Sequence, residues 1–363
     1  MRAVFAPSEH AVRAPFTRRR SEATGTSREA RYRGRVTPVP LVIAHRGASG
    51  YRPEHSEAAY RLAVELGADA IEPDIVASRD GVLVLRHENE ISGTTDVADR
   101  PEFADRRTTK RIEGADVTGW FTEDLTWAEL STLTVRERLP ELRPRSAEHD
   151  GTGGMLRLPD LLRLLDAAGR PVGLVAEIKH AAYFESIGLP LDALVADELQ
   201  AAGWASDERL TIESFERTVL DQVRARGVGA RYVYLLEKRG AAADLVASLG
   251  SAAPTYAEQL DEPSLAGLAA DGLHGISLDK TTLIDADGTT DPRVVDRAHA
   301  AGLQVFAWTL RAENAFLSKA HRGPGGRAAQ GHHADEFRAL MTLGLDGVFA
   351  DQPELAIAVR DAL

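Results

Sequence analysis

The sequence predicts an α/β fold: a (β/α)8 TIM-type barrel with an antiparallel hairpin after strand 2 and a small inserted subdomain. Three observations carry that prediction. From residue 41 onward, short β-branched runs alternate with helix-length amphipathic segments, the pattern of βα units on a parallel sheet. Nine such runs occur, one more than a barrel accommodates. Two of them are separated by only ASRDG, too short for a parallel crossover.

In chain order the strand candidates are LVIAH, AIEPDIV, VLVLRHE, VGLVAEIK, LTIES, RYVYLL, GISLDK, QVFAWTL and GVFAD. Between most of them lie helical patterns such as EHSEAAYRLAVELG, LPDLLRLLDAAG, LDALVADELQAAG and DPRVVDRAHAAG. Several end in Gly, the residue that most readily takes the left-handed stop after a helix. Asp80-Gly81 is a strong hairpin signal, so the third run turns back antiparallel and eight parallel strands remain. A two-residue loop at Asp80-Gly81 places Asp74 opposite His87, with Cβ atoms about 5 Å apart. A longer loop shifts that register.

Residues 88–157 break the alternation. They are rich in Arg, Asp, Glu and Thr, and Thr126 with Glu129 in GWFTEDLTWAEL forms a capping-box pattern. The stretch is too long for a loop and reads as an inserted subdomain over the barrel mouth, within a barrel spanning 41–363. SKAHRGPGGRAAQGHHADE, before the last strand, reads as a mobile loop. Residues 1–40 carry nine Arg and three Glu with no long apolar run, the composition of a disordered basic leader. Ser21 to Arg35 is polar where an export signal needs an apolar region. A cytoplasmic location is therefore expected, with export by an atypical start site or route as the alternative.

Composition narrows function further. The net charge of −12 disfavours nucleic acid or an anionic membrane as the main partner. No run of about 18 apolar residues exists to span a bilayer. The absence of cysteine removes disulfides, thiolate nucleophiles and cysteine-ligated zinc together.

Barrel strands present their C-terminal ends to the active site. Glu72 and Asp74 lie two apart on one strand, hence on one face. Two carboxylates roughly 7 Å apart repel by about 2 kcal/mol at an effective dielectric near 20. A cation between them removes that cost, as does a shared proton or a pair of salt bridges. Glu177 ends an apolar run that should be a buried strand, and AEIK puts it on one face with Lys179. An internal ion pair accounts for those two; three carboxylates at adjacent strand ends without cysteine describe a hard-oxygen site for Mg²⁺ or Ca²⁺. His45 closes the first strand, and a lone histidine there is usually a hydrogen-bonded core residue. His45 and His87 converging on one carboxylate cluster instead make an acid–base pair. Arg46 and Lys179 add positive charge suited to phosphate oxygens. Together these residue types describe metal-assisted phosphoryl transfer. Trp308 either walls a substrate pocket or fills the barrel top. His55 is expected to cap a helix or lie at the surface, His332-His333 to be solvated, and Ser214 lacks a base at useful spacing.

AHRGASGYRPEHSEAAYRLAVELGADAIEPDIVASRDGVLVLRHE resembles the signature of bacterial glycerophosphodiester phosphodiesterases, with AEIK, IESF, FAWTL and GLDGVFADQP similar to later blocks of that family in the same order. The resemblance spans roughly residues 41–360, and GTTDVADRPEFADRRTTKRIEG with GWFTEDLTWAEL is similar to the insertion of its larger members. It implies hydrolysis of a small-molecule glycerophosphodiester such as glycerophosphocholine to sn-glycerol 3-phosphate and an alcohol. It also implies one divalent ion, Ca²⁺ or Mg²⁺, on Glu72, Asp74 and Glu177, acid–base roles for His45 and His87, and phosphate binding by Arg46, with Lys179 beside the third carboxylate. Two departures stand out. Glu88 follows His87 where many members have Asp, and the apolar export signal usual in insertion-bearing relatives is absent. Two rival readings share the barrel. One is a phospholipase D-like enzyme acting on lysophospholipids or sphingomyelin, for which Trp120, Phe121 and Trp127 offer an apolar rim. The other is a non-catalytic phosphodiester-binding barrel.

Overall fold

The computed structural model describes residues 39–363, so the basic leader, apart from Val39 and Pro40, lies outside the described residues. The strands are β1 (Leu41–His45), β2 (Ala70–Glu72), β3 (Asp74–Ala77), β4 (Leu83–Leu85), β5 (Thr108–Ile112), β6 (Ala115–Gly119), β7 (Gly173–Ile178), β8 (Leu210–Ser214), β9 (Arg231–Leu236), β10 (Gly275–Asp279), β11 (Gln304–Leu310) and β12 (Gly347–Ala350). The main sheet runs β2-β1-β12-β11-β10-β9-β8-β7-β3-β4, and pairing of β2 with β7 closes it. Its barrel pairings are all parallel. This is the predicted barrel of eight strand positions.

AIEPDIV fills one of those positions in two halves. Pro73 has no N–H to give the ladder, so β2 ends at Glu72 and β3 begins at Asp74. Both halves keep one register on β7, with Ile71 opposite Leu174 and Asp74 opposite Glu177. The break therefore leaves Glu72 and Asp74 facing the same way.

Alternation along the strands sorts side chains into two layers. Ile43, Ala70, Val175, Val233, Phe306 and Phe349 pack inside the barrel. Val42, Ile71, Leu174, Ile212 and Ile276 face the helices in the larger outer core. Two residues beyond an inner-layer residue comes the next inward position, nearer the mouth. Ile43 is followed in this way by His45, Ala70 by Glu72, Val175 by Glu177, Phe306 by Trp308 and Phe349 by Asp351. The polar strand ends occupy the top of the barrel because the layer beneath is already apolar and filled.

The hairpin forms, but in a different register from the expected one. Ile75 pairs with Leu85, Val76 with Val84 and Ala77 with Leu83. The loop is the three residues Arg79-Asp80-Gly81, closed by the Ser78 amide donating to the Val82 carbonyl at 2.9 Å. Gly81 supplies the left-handed residue (φ +76°) that three-residue hairpins require, and Asp80 Oδ1 is fixed by the Ser78 hydroxyl and the Trp127 amide. Asp74 consequently lies opposite Arg86, whose amide donates to the Asp74 carbonyl at 3.0 Å. His87 comes after the end of β4, where strand alternation no longer dictates its direction.

Residues 88–157 form the β5–β6 hairpin, several single-turn helices and isolated bridges such as Thr95–Val135. The Thr126–Glu129 capping box is present at the helix Trp127–Leu130. Ile91, Val97, Leu125, Leu130 and Val135 belong to the same outer core as the barrel's helical layer. At the irregular 318–336 stretch, Asn314 Nδ2 donates to the Gly323 and Gly326 carbonyls, and its Oδ1 accepts from the Gly323 amide. Among the described residues no helix is long and apolar enough to cross a membrane.

Gly47 joins the end of β1 to the helix Glu57–Glu65 with φ +85°, and a Cβ there meets the Ala59 carbonyl carbon at 2.7 Å. Gly169 has a similar φ, +71°, with nothing within 4 Å. Gly47→Ala should therefore lower the unfolding free energy by clearly more than the roughly 1 kcal/mol expected for conformation alone at Gly169→Ala. Urea denaturation of both variants measures the difference; equal losses would mean the Ala59 contact is unimportant.

Candidate active site

Glu72, Asp74 and Glu177 are brought together at the barrel mouth, all buried, with one oxygen from each within 4.8 Å of the others. Glu72 Oε1 and Asp74 Oδ1 have no hydrogen-bond partner among the described residues. Buried acceptors without donors are rare and call for an explanation such as an ion. Burial, together with Asp74 nearby, holds the Glu72 carboxyl well above the usual carboxylate range. Burial also pushes Glu177 up to about 8, although Lys179 opposes it. Asp74 goes the other way: burial raises it, but Arg46, His87 and Lys179 outweigh burial and hold it well below its ordinary value. An acidic triad with unpartnered oxygens and no soft ligand fits a hard divalent cation.

The two cations predicted for phosphate lie against this triad. Arg46 Nε is 3.1 Å from Asp74 Oδ2 and its Nη1 is 3.2 Å from Glu54 Oε2. Lys179 Nζ is 2.7 Å from Glu177 Oε1, 3.8 Å from Asp74 Oδ1, and within 5.2 Å of the Phe215 ring. Both line a cavity of about 750 Å³ that opens at the mouth.

Both histidines reach the same cavity. His45 Nδ1 lies 2.7 Å from Asp351 Oδ1, and His87 Nδ1 lies 2.5 Å from Glu88 Oε1. An ionised carboxylate only accepts, so each Nδ1 carries the hydrogen and each Nε2 keeps its lone pair. Burial, then the Arg46 charge, lowers His45 to about 4. Burial, then Arg46 and Lys179, lowers His87 to about 3. Each ring is thus a neutral imidazole with its proton position set by a carboxylate. Lys179 Nζ is 3.2 Å from His87 Nε2, which ties the second histidine to the triad through the lysine.

Trp308 takes both of the places left open for it. Its ring packs on the inner barrel layer and also lines the cavity, edge-on to Phe215 at 5.6 Å. His55 needs correction. It is fully buried, with Nε2 2.9 Å from Asp74 Oδ2 and Nδ1 2.7 Å from the Tyr60 hydroxyl. The helix cap is Ser56, whose hydroxyl accepts from the Ala59 amide. His332-His333 lies at the start of the helix His333–Met341, away from the cavity.

Several site residues escaped the sequence reading. Asp351 directly follows β12 in GVFAD, beside His45 at the end of β1, and its inward parity was the available signal. Glu213 pairs with Glu177 across β8 and β7; it is 1% exposed and burial, with Glu177 and Asp74 nearby, raises its carboxyl. Glu213 sat in LTIES, where the adjacent serine drew the search for a nucleophile. Glu54 carries no periodic signal, since it precedes the helix in an irregular turn.

A TIM-type barrel whose mouth joins an acidic triad, two carboxylate-bound imidazoles and two cations defines a class of protein, the barrel hydrolases of phosphate esters. The model of the glycerophosphoryl diester phosphodiesterase family matches residues 45–355, and the chain belongs to that family. Glycerophosphodiester phosphodiesterase activity is what this membership assigns to it. Among its relatives is the Arabidopsis thaliana glycerophosphodiester phosphodiesterase GDPD6, 30% identical over 331 residues that cover 87% of this chain and 84% of the relative. A solved glycerophosphoryl diester phosphodiesterase structure from Silicibacter pomeroyi shares the fold with a TM-score of 0.64 at 22% identity, covering 90% of this chain and 94% of that one. An Oleispira antarctica phosphodiesterase, solved in complex with its product sn-glycerol-3-phosphate, aligns with a TM-score of 0.59 at 22% identity, covering 89% and 97%.

If the triad takes up a divalent ion, adding Ca²⁺ or Mg²⁺ should stabilise the folded protein, by about 2.7 kcal/mol at a hundredfold excess over Kd. Thermal unfolding with and without EDTA reads this directly, and Asp74→Asn should abolish the shift. A shift that survives in Asp74→Asn would place the ion elsewhere.

Proposed function

We propose that the chain hydrolyses glycerophosphodiesters to sn-glycerol 3-phosphate and an alcohol, with His45 and His87 as the acid–base pair. The observation that supports this most is that both carboxylate-bound imidazoles, Arg46 and Lys179 share one cavity with Glu72 and Glu177 of the triad. At about 750 Å³ the cavity is in the usual range for a small-molecule site.

Arg46 and Lys179 bind the phosphate oxygens and hold phosphorus between the two histidines. One imidazole takes the proton of the glycerol 2-hydroxyl through its free Nε2, and that oxygen attacks phosphorus in line. The other, which takes up a proton on Nε2 as the anionic diester binds, gives that proton to the leaving alcohol and returns to the neutral ring. Water then opens the cyclic phosphate as the two rings exchange roles. Trp308 and Phe215 form an apolar wall that limits water around the reacting atoms. Glu72, Asp74 and Glu177 would hold the ion, Ca²⁺ or Mg²⁺, which when bound would supply positive charge at the phosphate and make the glycerol hydroxyl more acidic.

The phospholipase D-like reading needs an apolar rim for acyl chains. Trp120 and Phe121 are buried, with Trp120 Nε1 donating to the Phe103 carbonyl at 2.6 Å, and Trp127 packs beneath Arg157. None of the three lines the cavity, so the small diester is favoured. Turnover of glycerophosphocholine should exceed that of lysophosphatidylcholine, measured side by side; the reverse preference would reinstate the lipid reading.

EDTA should stop release of glycerol 3-phosphate, and added Ca²⁺ or Mg²⁺ should restore it; full activity in chelator would exclude a role for the ion. His45→Ala and His87→Ala should each lower kcat by roughly 10²- to 10⁴-fold while circular dichroism shows a folded barrel. Retained turnover in the double variant would remove both histidines from the mechanism.

A further inference from the structure

Two arginines from a short stretch of residues 88–157, which we take as an inserted subdomain, hold the carboxylates that orient the two histidines. Arg138 grips a pair of glutamates. Its Nε and Nη2 donate to Glu54 at 2.8 and 2.6 Å, and its Nη1 and Nη2 donate to Glu88 at 2.9 and 2.7 Å. Glu88 is the acceptor of the His87 Nδ1 hydrogen. Arg143, five residues on, donates from Nη2 to Asp351 Oδ2 at 2.5 Å, from Nε to Glu313 Oε1 at 2.7 Å and from Nη1 to the Ser49 carbonyl at 3.0 Å. Asp351 is the acceptor of the His45 Nδ1 hydrogen.

The order recurs: guanidinium, carboxylate, imidazole Nδ1, with both rings lining the cavity and His87 Nε2 also facing Lys179 Nζ at 3.2 Å. Arg138 meets Glu88 with two N–H groups, which fix that carboxylate in both distance and rotation. Arg143 reaches Asp351 through Nη2 alone, while Glu313 and the Ser49 carbonyl hold the rest of its fork. Arg143 is 5% exposed at its side chain and Asp351 2%. Arg311 Nε reaches the same Oδ2 at 2.7 Å from a more open position, so Asp351 keeps a charge partner if Arg143 is lost. Glu54 also holds Arg46, which joins the phosphate-binding arginine to the His87 side of the network.

We propose that Arg138 and Arg143 are positioning residues for the reaction, acting through Glu88 on His87 and through Asp351 on His45. The inserted segment thereby sets the direction of both proton-transfer groups. The inference rests on the acid–base reading of the two histidines.

The test compares Arg138→Gln and Arg143→Gln with wild type on two substrates, glycerophosphocholine and a glycerophosphodiester whose leaving alcohol is p-nitrophenol. On glycerophosphocholine each variant should lose on the order of 10- to 100-fold in kcat, as lost outer partners of a site residue do, with KM within about twofold. A nitrophenolate leaves without being protonated, so the variant whose arginine serves the acid should regain about tenfold or more on that substrate. The variant serving the base should not. Arg138→Lys and Arg143→Lys keep the charge and should recover part of the loss; if a Gln variant does not fold, its Lys counterpart is read by the same ratio between substrates. Unchanged kcat, a change in KM alone, or equal losses on both substrates by both variants overturns the proposal. His45→Ala and His87→Ala, assayed in parallel, separate the two levels. Inactive histidine variants beside active arginine variants reject the positioning role alone, whereas active histidine variants reject the acid–base reading beneath it.

Discussion

Mutual repulsion among buried carboxylates organises the top of this barrel. With oxygens within 4.8 Å, each ionised pair among Glu72, Asp74 and Glu177 costs about 3 kcal/mol at an effective dielectric near 20. Glu213 adds a fourth buried carboxyl beside them. The chain meets that cost with positive charge and with protons. Arg46 and Lys179 hold the Asp74 carboxyl low, while burial raises those of Glu72 and Glu177. A divalent cation among the three carboxylates would offset the same repulsion.

The same positive charge shapes the histidines. Arg46 contributes to lowering both rings and Lys179 to lowering His87. In isolation these effects would leave imidazoles with little grip on a proton. Asp351 and Glu88 work against them by accepting from Nδ1, and each raises its partner histidine. The cost moves one step outward, to arginines that neutralise those carboxylates. Charges therefore alternate from the triad to the insertion, and the polar interior is held as one connected network rather than as separate ion pairs.

The barrel was readable from the sequence because eight apolar runs with helices between them admit few other arrangements. The site residues were readable where inward parity and strand ends coincide, as at His45, Glu72, Asp74 and Glu177. Parity failed as a guide in two places. The hairpin loop has three residues rather than two, since Ser78 and Gly81 close it, and a shift of one residue moves every pair. His55, Glu54, Arg138 and Arg143 lie in irregular backbone, where no period says which way a side chain points. His55 has φ +57°, a conformation that only the surrounding contacts can select. Long-range pairs such as Arg143 with Asp351, 208 residues apart, exist only once the barrel has closed.

The glutamate that follows His87 makes sense within that network. Glu88 must reach back to the Nδ1 of its own neighbour in sequence while both of its oxygens also face Arg138. One carboxylate thus serves two donors lying in different directions, a short chain segment on one side and the inserted segment on the other. Asp351 needs no such reach, because it meets His45 across the adjacent strands β1 and β12, where the parallel register already brings the two strand ends side by side.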